Sequence, residues 1–84
     1  GLVARIVAAD DLVADAVKTA ATVAGMAPMA VLANKEMVNA AFETSLAAGV
    51  QFERRLFHGL FGTADQKEGM AAFVDKRPGN WTGR

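Results

Sequence analysis

The sequence predicts an all-α fold of about four helices with a short extended N-terminal lead-in. Three observations carry that reading. Apolar residues recur at helical spacing in four successive stretches. Alanine, the strongest helix former, occurs 18 times in 84 residues. Between the stretches stand Pro, Gly, Ser and Thr, the residues that start and stop helices. At this length the chain is at most one domain.

Leu2 to Val7 alternates weakly and carries β-branched residues, which suits a strand, but the sequence offers no second strand for it to pair with. Asp10 or Asp11 is the expected cap of a first helix running to about Gly25, with Leu12, Ala16, Val17, Ala20 and Val23 on one stripe. Gly25 and Pro28 end it. Pro28 suits the first turn of a second helix, because the N–H it lacks would be unbonded there anyway. That helix runs to about Glu43, with Val31, Lys35, Val38 and Phe42 on one face and Leu32 beside it. Thr44 and Ser45 supply a fresh cap, so a third helix is expected from Ser45 to Phe61. Its apolar side carries Leu46, Val50, Leu56, Phe57, Leu60 and Phe61, while Gln51, Arg54 and Arg55 face solvent. Gly62 reads as its C-terminal glycine. Thr63-Ala64-Asp65-Gln66 fits a capping box, in which the Thr oxygen meets the N–H three residues on and Gln reaches back. A fourth helix then covers about Ala64 to Lys76, with Met70, Phe73 and Val74 as apolar contacts. Pro78-Gly79 stops it and leaves an irregular tail with Trp81.

Composition removes several function classes. Nine Lys plus Arg balance nine Asp plus Glu, whereas a nucleic-acid binder needs a surplus of cations to neutralise phosphates. The absence of Cys excludes disulfides, a thiol nucleophile and thiolate metal sites, and fits a reducing compartment. A single His builds no metal site alone. No apolar run approaches the roughly 18 to 20 residues of a membrane span, and no signal-peptide pattern is present. A soluble protein without nucleic-acid or membrane partners is expected. The opening Gly1-Leu2-Val3, without Met or cap, reads as a cut from a longer chain.

Catalytic residues are not found by pattern. His58 lacks a nucleophile or orienting carboxylate at hydrogen-bond reach, and Glu53 is offset around the helix. Glu36, Glu43, Glu53 and Glu68 sit beside basic residues on expected exposed faces, which is ordinary solvated surface. Ser45 and the threonines read as caps and surface. Gly59 and Gly62 do not form a phosphate-binding fingerprint, since no strand precedes them. One cluster stands out. Phe57, Phe73, Lys76 and Arg77 place two aromatics and two cations on the last two helices, whose short connecting loop predicts that they pack as neighbours. Such a set suits a planar base and its phosphates. Physics alone favours core packing for the Phe pair, and the helix dipole already accounts for cations at a C-terminus.

The ordered blocks Lys35-Glu36-Met37-Val38-Asn39-Ala40-Ala41-Phe42-Glu43, Phe52-Glu53-Arg54-Arg55-Leu56-Phe57 and Thr63 through Arg77 carry more than periodicity. Together with Gly1-Leu2-Val3 they closely resemble the C-terminal third of enoyl-CoA hydratase in the crotonase superfamily, over the whole chain. The resemblance implies that residues 1–84 are the C-terminal helical region of a crotonase-type α/β enzyme, serving oligomerisation and closure of the CoA site. The catalytic β/α core, which holds two glutamates and two oxyanion-binding N–H groups, lies upstream in the family and is absent from this chain. No catalytic residue and no metal ligand are therefore assigned here.

The resemblance further implies that the whole enzyme adds water across the 2,3 double bond of a trans-2-enoyl-CoA, with the thioester as substrate and no cofactor. Phe57 and Phe73 match aromatics near the CoA adenine. Lys76 matches a lysine near the nucleotide phosphates, and no role is carried over to Arg77. Trp81 stands where Phe is usual, and Pro78-Gly79 replaces a more basic stretch, which puts tail contacts in doubt. Self-association as a trimer, or a dimer of trimers, is implied for the full-length protein. So is a cytoplasmic location, or the mitochondrial matrix in a eukaryote. A non-catalytic helical association module and a related superfamily activity such as enoyl-CoA isomerisation are the alternative readings.

Overall fold

Local side-chain chemistry sets most helix boundaries in this chain. The computed structural model describes residues 1–84. A short 3-10 turn, Ala9–Asp11, leads into α1 (Leu12–Ala24), followed by α2 (Pro28–Ala41), α3 (Leu46–Leu60) and α4 (Ala64–Asp75), and there is no β-strand. Pro28 occupies the first turn of α2. Ser45 caps α3 by accepting a hydrogen bond from the Ala48 N–H at 3.2 Å. Thr63 caps α4 by accepting from the Gln66 N–H at 3.1 Å. Each cap satisfies one of the N–H groups that a helix leaves unbonded at its start.

Two local expectations are corrected. Neither Asp10 nor Asp11 makes a capping bond. The 3-10 turn begins at Ala9 after an extended Ala8, so both aspartates already lie within helical turns and act only as favourable charges at a helix start. The second helix ends at Ala41 instead of Glu43. The Ala40 carbonyl there accepts from the Glu43 N–H at 3.0 Å and from the Thr44 hydroxyl at 2.9 Å, which closes the turn early. Leu2 to Val7 carries no strand pairing, as the lack of a second strand implied. It is extended and unpaired, and its main tie to the rest is Arg5, whose Nε donates to Asp15 Oδ2 at 2.8 Å and whose Nη2 donates to the Thr19 hydroxyl.

Packing between helices is sparse. Among the α-helices, only α2 and α3 lie against each other over any length. The less exposed positions on α2 are Ala30, Val31, Ala33, Met37 and Ala40. On α3 they are Gly49, Phe52, Leu56 and Leu60. Of the expected face Val31-Lys35-Val38-Phe42, Val31 is half-buried, while Lys35, Val38 and Phe42 are exposed. The less exposed side of α2 is mostly small residues, whereas that of α3 is mostly bulky ones. α1 meets α2 at a bend of 115° and leaves Leu12, Val13 and Val17 exposed.

The chain is accordingly flat and open. Its radius of gyration is 15.8 Å, against about 12 Å for a compact domain of this length. Its accessible surface is 7015 Å², against about 4,800 Å² for a compact monomer of its mass. The excess of about 2,200 Å² falls in the range that one partner contributes to an obligate interface. Only Ala33, Asp65 and Ala72 are buried. Ala33→Leu is expected to push α2 from α3 and cost about 1–3 kcal/mol, as overpacking does, read as a lowered denaturation midpoint. An unchanged midpoint would show that this contact is loose.

Candidate functional site

The last turn of α4 and the tail behind it form the most tightly bonded part of the chain. Lys76 follows α4 in the left-handed conformation, φ 53° and ψ 43°. Its N–H donates to the Phe73 carbonyl at 3.3 Å, and the Arg77 N–H donates to the Ala72 carbonyl at 3.0 Å. These two bonds make a Schellman motif, with Lys at the position where Gly is usual. A side chain there costs about 1–2 kcal/mol relative to ordinary helical backbone.

The two cations after α4 have different fates. Arg77 is fully engaged. Its Nη1 and Nη2 donate to Glu68 Oε1 and Oε2 at 2.6 and 3.2 Å, its Nε reaches Asp75 Oδ2 at 3.4 Å, and Nη1 also meets the Pro78 carbonyl at 3.3 Å. Lys76 is exposed and its ammonium has no ion pair or hydrogen bond. Glu68 accepts a third bond from the Asn80 N–H at 2.9 Å. The Arg77 bond first, then the Asn80 N–H, hold the Glu68 carboxyl down at about 2, and the same pair raises Arg77.

One turn earlier, Asp65 grips the end of the tail. Only 2% exposed, it accepts from the Thr82 N–H and hydroxyl at 2.7 and 3.0 Å through Oδ1, and from the Gly83 N–H at 2.8 Å through Oδ2. The Thr82 N–H is the main reason its carboxyl lies below the usual range, with the Gly83 N–H and Thr82 hydroxyl adding to it against the effect of burial. Its own N–H donates to the Arg84 carbonyl at 2.9 Å. The expected capping box is half formed. Gln66 does not reach back, because the Thr63 N–H is already given to the Leu60 carbonyl at 3.0 Å.

Trp81 sits between these two grips. Its indole N–H donates to the Gly25 carbonyl at 2.9 Å, which satisfies a carbonyl freed at the end of α1. The ring lies in van der Waals contact with the space beside Gly69, and a Cβ added at Gly79 would overlap it. Trp81 forms one wall of an apolar cavity of about 330 Å³, with Met29, Phe57, Phe61, Gly69 and Met70 among the others. The tail is irregular in backbone, as expected, yet it is anchored to α1 and α4.

The aromatics of the expected cluster are not brought together. Phe57 is half-exposed on α3, with its ring edge-on to Phe61 at 5.2 Å and tilted against His58 at 6.1 Å. Phe73 is 84% exposed on α4. No aromatic contact joins it to Phe57, and α3 and α4 do not pack along one another as the short loop suggested. Phe73 and Lys76 are neighbours through the cap bond. No group of three or more His, Asp or Glu side chains is gathered at one place. Sequence reasoning placed Glu68 on solvated surface and gave Asp65 no role. The only signal for either was two acidic residues three apart on one helix face, ahead of a tail rich in free N–H groups.

The sequence profile of the enoyl-CoA hydratase/isomerase family matches residues 1–84. The chain belongs to the enoyl-CoA hydratase/isomerase family. A probable enoyl-CoA hydratase of Mycobacterium bovis is 54% identical over all of this chain and 33% of its own length. A probable mitochondrial enoyl-CoA hydratase of Dictyostelium discoideum is 48% identical over 96% of this chain and 29% of its own length. Among solved structures, an enoyl-CoA hydratase subunit of Geobacillus kaustophilus superposes with a TM-score of 0.90 at 40% identity, over all of this chain and 33% of that one. The chain thus spans about one third of the length of the relatives it matches. The four helices and the tail, with Asp65 and Glu68, all lie in the matched region.

Proposed function

We propose that this chain is the C-terminal helical region of an enoyl-CoA hydratase, which adds water across the 2,3 double bond of trans-2-enoyl-CoA thioesters. The observation that carries the reading is the unbroken family match over residues 1–84, joined to 54% identity with a probable enoyl-CoA hydratase. The acid-base glutamates and the oxyanion-binding N–H groups of such an enzyme belong to the other two thirds of the polypeptide, so the 84 residues alone are inactive. The acyl-CoA is the substrate and no cofactor is needed.

In this reading the region has two tasks. It covers apolar helix faces by docking on the catalytic core and on neighbouring subunits, as a trimer or a dimer of trimers. The surface excess of about 2,200 Å² supports an obligate interface of that size. It also completes the CoA site, with Phe57 and Phe73 near the adenine and Lys76 near a phosphate. The free Lys76 ammonium supports this role, and the engagement of Arg77 with Glu68 argues for a structural one there. A cytoplasmic location, or the mitochondrial matrix in a eukaryote, suits the activity. No single helix is long and apolar enough to cross a membrane.

The test is hydration of crotonyl-CoA by the full-length polypeptide, followed as loss of the conjugated thioester absorbance. Turnover is expected in the full-length protein and none in residues 1–84. Absence of crotonyl-CoA hydration together with conversion of 3-butenoyl-CoA to the conjugated 2-enoyl thioester would favour the isomerase reading, which shares the family profile.

A further inference from the structure

Lys76 holds a backbone conformation that a lysine does not choose by itself. A non-glycine residue in the left-handed region is strained by about 1–2 kcal/mol, and such strain persists only where the surroundings over-determine it. The surroundings here are specific. The Schellman bonds fix the backbone on either side of Lys76. Arg77 Nε reaches Asp75 Oδ2, so the two residues flanking Lys76 are tied to each other across it. Both terminal nitrogens of Arg77 then lock onto the two oxygens of Glu68, two turns back along α4, and the Asn80 N–H adds a third bond to the same carboxylate. Glu68 therefore spans the whole turn, from Arg77 to Asn80. Planar bidentate pairing of this kind fixes orientation as well as distance. Within the turn, Lys76 alone carries a cation with no partner.

We propose that Glu68 is a positioning residue: by gripping Arg77 and the Asn80 amide it holds Lys76 in its left-handed turn, with the ammonium free to meet a phosphate of the CoA nucleotide. The inference rests on the proposed CoA site and adds to it a residue that touches no substrate. It also divides the labour of the adjacent cations. Arg77 neutralises Glu68 and anchors the turn, which keeps the Glu68 carboxylate from capturing Lys76 instead.

The test uses full-length protein with crotonyl-CoA and with crotonyl-pantetheine, which keeps the thioester but lacks the nucleotide. Glu68→Gln keeps the shape and removes the charge that binds the Arg77 fork. It is expected to raise KM for crotonyl-CoA about threefold to tenfold, with kcat within about twofold and KM for crotonyl-pantetheine unchanged, because the lost binding is remote from the chemistry. Arg77→Gln should reproduce this. Combined with Lys76→Ala, Glu68→Gln should add almost nothing, since residues acting through one contact are not additive. Should Glu68→Gln fail to fold, Arg77→Lys keeps the charge, loses the fork, and should show the same split between the two substrates.

The outcomes separate the inference from the reading beneath it. If Lys76→Ala raises KM for crotonyl-CoA but neither the Glu68 nor the Arg77 variants do, the positioning role is overturned and the CoA site stands. If Lys76→Ala leaves KM unchanged, the CoA role of Lys76 fails and the inference with it. Equal effects on both substrates, or a fall in kcat alone, would mark Glu68 as a general stabiliser and overturn the proposal.

Discussion

Lys76→Ala is expected to raise KM for crotonyl-CoA about tenfold in the full-length protein while kcat changes little. A hydrogen bond to a charged group contributes about 1.5–3 kcal/mol. Lys76 is exposed to solvent, so the lower end of that range applies. The companion substitution distinguishes the side chain from the backbone it stands on. Lys76→Gly removes the same ammonium but also removes the Cβ that strains the left-handed turn. Relief of about 1–2 kcal/mol exceeds the roughly 0.5–1 kcal/mol of extra chain entropy that glycine loses on folding. The glycine variant should therefore match the alanine variant in KM and exceed both it and the parent in thermal stability. In a polypeptide of the relatives' length that gain is roughly 2 °C. A glycine variant no more stable than the alanine one would mean that the turn is not strained. A retained lysine at a glycine position would then need no functional explanation.

The parts of this chain that were legible in its sequence are those decided within a few residues. Ser45 and Thr63 cap their helices through bonds three residues away, and Pro28 starts α2 for a reason contained in its own ring. The order of the blocks from Lys35 to Arg77 was enough to point to the family that the profile then matched over residues 1–84. What periodicity hid was which face turns inward. Hydrophobic patterning weights bulk, so it selects Val31, Val38 and Phe42, whereas the less exposed side of α2 is mostly alanine. In this flat chain Val38 and Phe42 are left facing outward, and no rule applied to residues 1–84 alone gives the direction of a face that nothing in them covers. The clasp was hidden for a different reason. Asp65 meets Thr82 and Gly83, and Trp81 meets Gly25, across separations of 17 to 56 residues. Bonds from side chain to irregular backbone leave no period in the sequence.

Asp65→Asn is expected to free the end of the tail at neutral pH, although it changes one oxygen to nitrogen and keeps the shape. Both Asp65 oxygens accept from backbone N–H groups, Oδ1 from Thr82 and Oδ2 from Gly83. A carboxamide offers only one acceptor atom. Whichever way it is turned, its NH₂ faces one of the two N–H donors, and a buried donor without an acceptor is strongly disfavoured. Amide hydrogen exchange at Thr82 and Gly83 should accelerate by about tenfold or more, as for a segment released from its local fold. The single tryptophan reports the same event, since Trp81 adjoins Thr82 and its indole leaves the Gly25 carbonyl when the tail lifts. Acid should release the tail of the parent protein by a related route. The folded carboxyls of Asp65 and Glu68 both lie below their ordinary values of 3.8 and 4.5, Glu68 at about 2. Their contribution is therefore fully present above the unfolded carboxylate range and is lost as pH falls from there towards about 2. Trp81 emission should stay constant from pH 8 to about 5 and shift to the red as pH falls from about 4 towards about 2, between the free carboxylate range and the lowered Glu68 value. Glu68→Gln should flatten part of that titration, and Asp65→Asn should show the shifted emission already at pH 7. A red shift of the parent between pH 8 and 6 would contradict the carboxylate clasp, as would protected Thr82 and Gly83 amides in Asp65→Asn.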